Sequence, residues 1–114
     1  MTIEFTRETL ADLLRAHEKK VTIDDIQRRV ADYYHLKLTD LLSARRAREV
    51  ARPRQVAMYL AKRLTPRSLP EIGRRFGGRD HTTVMHAVKR IDELRAADRE
   101  LDADVAQLSR MLDG

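Results

Sequence analysis

With 114 residues, no Cys and a formal net charge of +5, the chain is expected to form one domain around a modest core, without disulfide or thiolate-metal chemistry. No apolar run approaches the roughly 20 residues that span a bilayer and no basic-then-apolar export signal is seen, so a cytoplasmic setting is expected. The charge is segregated: residues 1–20 are neutral, residues 21–90 hold sixteen basic and seven acidic side chains, and residues 91–114 hold three basic and seven acidic, a pattern that suits a polyanionic partner.

Three Pro and four Gly among abundant Ala, Leu, Arg and Glu predict an all-α fold of six to seven helices. In "TRETLADLLRAHEKK", Leu10, Leu13, Leu14 and His17 share one stripe, which predicts an amphipathic connecting helix capped by Thr6. Residues 1–20 are thus set apart from a domain over 21–114. Thr22 with Asp25 is a variant capping box opening a helix whose Ile26, Val30, Tyr33 and Tyr34 face inward. "LTDLLS" reads as a short helix capped by Thr39. The segment after it has no stable apolar period and is expected to be a loop, with Pro53 in the first turn of the next helix. Val56, Ala57, Leu60, Ala61 and Leu64 form that helix's inner stripe, and Thr65-Pro66 ends it.

Ser68 with Glu71 is a second capping box, opening a helix with Leu69, Ile72 and Phe76 inward and Gly77-Gly78 at its end. Asp80 then caps a long helix with Val84, Ala87, Val88, Ile91 and Leu94 inward. A break between Asp98 and Asp102 leads to a last helix with Val105, Leu108, Met111 and Leu112 inward.

Two helices joined by a glycine turn, the second polar at its own beginning, describe a helix-turn-helix. In that motif the first turn of the second helix enters the major groove, so its side chains match base edges rather than a core. Asp80 can cap its helix and accept from cytosine N4, His81 can donate to guanine or phosphate, and Thr82 offers a methyl and a hydroxyl. Thr83 and the free backbone N–H groups suit a phosphate, and Lys89 and Arg90 can reach the flanking backbone. Upstream, "RRAREVARPR" packs five Arg and one Glu into ten residues, Arg45 to Arg54. Such an arm can place Arg in a narrow minor groove.

The segment "RRAREVARPRQVAMYLAKRLTPRSLPEIGRRFGGRDHTTVMHAVKRI" resembles the C-terminal DNA-binding domain of DnaA, the family of bacterial chromosomal replication initiators, and "FGGRDHTTVMHA" is highly specific to that family. The resemblance runs from Val21 to about Leu112. It implies that Arg46 reads the minor groove, that Asp80, His81 and Thr82 read bases in the major groove, and that Pro70 touches a thymine methyl. It also implies that Arg45, Arg48, Arg54, Gln55, Lys62, Ser68, Leu69, Thr83 and Arg90 hold phosphates, through side chains or backbone N–H groups. The expected partner is double-stranded DNA carrying the short, asymmetric DnaA box of a replication origin, bound by a monomer at the nucleoid. Ala44 departs from the pattern, since many relatives carry a basic residue there.

Residues 1–20 resemble the end of the family's AAA+ module and its connecting helix. No G-x-x-x-x-G-K-[ST] occurs, so ATP and Mg, cofactors of that module in the family, are not expected to bind here. No enzyme is expected: His17, His35, His81 and His86 have no metal-site spacing, and no nucleophile–base set is evident. The alternative reading is a helical adaptor that binds a regulatory protein or acidic phospholipids through residues 6–20.

Overall fold

A computed structural model describes residues 21–113, and the expected connecting helix over residues 6–20 lies outside them. Six helices follow one another: α1 Ile23–Tyr33, α2 Leu38–Leu41, α3 Arg48–Leu64, α4 Leu69–Arg75, α5 His81–Ala97 and α6 Arg99–Asp113. No strand occurs among the described residues, and no helix there is long and apolar enough to cross a membrane.

The capping box of α1 is present in both directions. Thr22 Oγ1 accepts from the Asp25 backbone N–H at 3.1 Å, and Asp25 Oδ2 accepts from the Thr22 N–H at 3.2 Å. The helix ends without glycine: His35 takes φ +57°, and the Leu36 N–H returns to the Ala31 carbonyl at 2.8 Å. Histidine is one of the few side chains that enters this left-handed region with any frequency. Its use here frees Leu36 to turn back onto the core. The short α2 departs from expectation. Its cap is Lys37, with no side-chain bond, and Thr39 lies inside the helix.

The third helix is the hub, in contact with all five others. It begins at Arg48, not near Pro53, so Pro53 sits inside the helix and the expectation of a first-turn proline is corrected. The extra turn closes on Ala47, whose carbonyl accepts from Val50 and Ala51 at 3.0 and 2.8 Å, and Val50 is buried. One apolar residue larger than alanine among five arginines is too little to show as a period, yet it suffices to dock the turn. Pro53 forgoes only the single bond toward Glu49.

Val56, Ala57, Leu60 and Ala61 of α3 pack with Ile26 and Val30 of α1, Leu41 of α2, Ile72 and Phe76 at the end of α4, Val84 and Ile91 of α5, and Val105 and Leu108 of α6. Polar ties fix the helices' mutual placement. Buried Gln27 donates Nε2 to the Arg75 carbonyl at 2.7 Å, satisfying the C-terminal end of α4. Tyr59, buried in α3, donates to Asp92 at 3.1 Å and accepts from Arg95 Nη1 at 3.1 Å, while Arg95 Nε meets Asp102 at 2.6 Å.

Between α5 and α6 the break is the single residue Asp98, shorter than expected. Its Oδ1 accepts from the backbone N–H groups of Glu100 at 3.0 Å and Leu101 at 3.2 Å, so it caps the next helix at once. Met111, expected inward, is 37% exposed. Leu112, four residues after Leu108, keeps the inward line, and Met111 falls on its flank.

Candidate nucleic-acid interface

Helices α4 and α5 with the turn between them form the helix-turn-helix. Ser68 Oγ accepts from the Glu71 N–H at 3.4 Å, but the Glu71 carboxylate pairs with Arg67 at 3.1 Å instead of returning to Ser68. Only half of the expected box is therefore formed. At the far end Gly77 and Gly78 take φ +77° and +73°, as their place in the sequence predicts. The chain then folds back so closely that the Arg79 N–H reaches the Gly73 carbonyl at 2.8 Å.

This turn delivers the polar start of α5 to the surface. Asp80, His81 and Thr83 are exposed and Thr82 is half-buried. The Asp80 carboxylate organises them: Oδ1 accepts from the His81 backbone N–H at 2.9 Å and lies 3.2 Å from His81 Nδ1, and Oδ2 accepts from Thr82 Oγ1 at 3.2 Å. The three expected base readers thus hold one another in the free protein.

The arm from Ser43 to Ala47 runs beside this tetrad. Arg46 is exposed, and it lines a depression with Leu42, Gly77, Arg79 and Thr83. Arg45 is exposed too, with Asp40 at 3.9 Å, a separation that contributes little in water. A larger groove, about 550 Å³, lies between α3 and α5 and is lined by Gln55, Thr83, His86, Lys89 and Arg90 among others. Arg48 and Arg90 stand close enough to Arg52 that burial, then Arg48, then Arg90 lower the Arg52 pKa. The two helices therefore share a cationic ridge.

Most of the expected phosphate and base residues are brought together here. A second group sits apart from these two grooves: Lys62 is exposed on the last turn of α3, and Ser68, Leu69 and Pro70 open α4, with Pro70 exposed and Leu69 half-buried. Arg54 lines both grooves from within the fold. It is 6% exposed, and its Nε, Nη1 and Nη2 donate to the carbonyls of Leu41, Arg45 and Asp40 at 2.8, 2.9 and 3.4 Å. Its charge faces carbonyls of α2 and of the arm.

Three residues of the site were not singled out from the sequence. Arg52 follows Arg48 by four and so shares its helix face, a signal that was available once α3 was known to start early. Arg79 and Gly73 gave none, because their partners are backbone groups brought near them only by folding.

Comparison with known proteins agrees with this geometry. Residues 23–91 match the family model described as "Bacterial dnaA protein helix-turn-helix". The chain is 60% identical over all 114 residues to the chromosomal replication initiator protein DnaA of Zymomonas mobilis, covering 24% of that protein. It is 60% identical over the same span to that of Caulobacter vibrioides, covering 23%. A crystal structure of a DNA replication initiation factor superposes with a TM-score of 0.72 at 32% identity, over 98% of this chain and 35% of the other. The chain spans about a quarter of the length of the curated relatives it matches. On the family model, which takes in both helices of the motif and the arm before them, the chain belongs to the bacterial DnaA helix-turn-helix family.

Proposed function

We propose that this domain binds double-stranded DNA sequence-specifically, at the DnaA boxes of a replication origin, and so directs initiation of chromosomal replication. The observation that carries the reading is the shared surface of the arm and the α5 start, where Arg46 and Thr83 line one depression. The start of α5 enters the major groove, with Asp80, His81 and Thr82 at the base edges, while Arg46 reaches the adjacent minor groove. Arg45, Arg48, Gln55, Thr83 and Arg90 hold phosphates on one side of the docked helix. Lys62, Ser68 and Leu69 do so at the start of α4, where Pro70 meets a thymine methyl. Two patches of phosphate contacts flanking one inserted helix fix its register and angle.

Fluorescence anisotropy with a DnaA-box duplex and a scrambled duplex of equal length, over a salt series, tests this. The box is expected to bind at least about a thousandfold more tightly at physiological salt. Equal affinity for the two duplexes overturns the reading.

A further inference from the structure

From Arg45 to Ala47 the arm has no secondary structure of its own, yet two arginines grip its backbone from within the fold. Arg54, in α3, donates to the carbonyls of Leu41 and Arg45 at 2.8 and 2.9 Å. Arg79, after the glycine turn, donates Nη2 to the Ser43 carbonyl at 2.5 Å and Nη1 to the Phe76 carbonyl. A single guanidinium thus spans from the helix-turn-helix to the root of the arm. Gly77 leaves space for it, since a Cβ there would stand 3.0 Å from Arg79 Nη1 and 2.7 Å from the Leu42 carbonyl. Holding the two cations side by side carries a cost, visible in Arg54, whose pKa is lowered first by burial and then by Arg79. Both remain protonated at neutral pH. Like charges stay together in such a place only where acceptors are fixed around them, and here all of those acceptors but the Phe76 carbonyl belong to the arm and the segment leading into it.

The geometry points to Arg54 and Arg79 as positioning residues that fix the arm, and with it Arg46, in register with the start of α5. The consequence for DNA rests on the reading given above, whereas the restraint itself is a property of the free protein. A pinned arm meets the minor groove already ordered, so discrimination by Arg46 is not eroded by the entropy of ordering its backbone. Lysine at either position keeps the charge but cannot bridge two carbonyls as a planar fork does.

Arg79→Lys and Arg54→Lys, each checked for helicity by circular dichroism, provide two independent tests. Limited trypsin digestion without DNA, mapped by mass spectrometry, reads cleavage after Arg45 and Arg46 and hence local opening of the arm. Each variant is expected to be cleaved there about tenfold faster and to lose about tenfold in preference for a DnaA-box duplex over a scrambled one. Combining Arg79→Lys with Arg46→Ala should lower that preference no further than Arg46→Ala alone, because both act through the same contact. Unchanged cleavage in both variants, or losses that multiply in the double variant, overturns the inference. A parent chain that fails to distinguish the duplexes sinks the DNA-box reading instead, and the digestion rates still decide whether the arm is pinned.

Discussion

The Arg79 carbonyl oxygen lies 2.1 Å from where a Cβ on Gly73 would stand. Gly73 is helical and buried, so its worth lies in missing volume and not in φ. Helix propensity alone predicts that Gly73→Ala gains about 1 kcal/mol. The backbone clash predicts the reverse, because the atom met is a carbonyl that cannot rotate away. Gly73→Ala is expected to destabilise by about 3 kcal/mol, the upper end of overpacking costs, and to lower the melting temperature by roughly 15 °C. A thermal melt followed at 222 nm decides which effect wins.

Arg46 and Arg48 stand two residues apart and should fail differently. Arg46 is proposed to read bases, so Arg46→Ala should weaken box binding by about 1–3 kcal/mol and scrambled binding much less. Arg48 belongs to the cationic ridge with Arg52 and Arg90. Arg48→Ala should weaken both duplexes alike and lower the slope of log K against log salt by about 0.9. It should leave the melting temperature unchanged or slightly higher, since a like-charge contact is relieved. Anisotropy over a salt series, paired with thermal melts, separates the two behaviours.

What could be read from the sequence was local. Thr22 with Asp25, Ser68, the Gly77-Gly78 pair and Asp80 each act within three or four residues, and all take their expected places. The inner stripes of α3 and α5 were legible because a helix repeats its face at three and four residues. What could not be read depends on the fold. The start of α3 depends on one buried valine docking a charged turn, and Arg54 is directed by carbonyls up to 14 residues away. Gln27 reaches Arg75 across 48 residues, and Arg79 reaches Ser43 across 36. For Arg54, Gln27 and Arg79 a side chain meets a backbone group, which leaves no mark in residue identity.

Asp98 is the whole connection between α5 and α6, and its carboxylate holds two otherwise free N–H groups of α6. Asp98→Ala is expected to cost about 1 kcal/mol, as loss of a cap usually does, and to lower the melting temperature by about 4–8 °C. The residue belongs to neither groove of the candidate interface. Because the Asp98 charge also acts on Arg52 of the ridge, box affinity measured well below the melting temperature should be unchanged or slightly higher. A drop in affinity greater than about threefold would mean that α6 contributes to the interface.

Tyr33 and Tyr34 are neighbours with opposite fortunes. Tyr33 donates its hydroxyl to Asp104 at 2.7 Å, whereas the Tyr34 hydroxyl is buried and has no hydrogen-bond partner among the described residues. Burial, then the Asp104 charge, pushes the Tyr34 pKa well above its ordinary value. A raised pKa means that the fold favours the neutral phenol. That preference is fully present below the unfolded value near 10 and is lost as pH rises from there through the raised folded value. Tyr34→Phe removes the unpaired hydroxyl and the titration together. It should stabilise the domain by about 1 kcal/mol at neutral pH and flatten the fall in stability above pH 10. Urea melts of parent and variant at neutral pH and above pH 10 check both halves. A less stable variant at neutral pH would show that the hydroxyl has a partner after all.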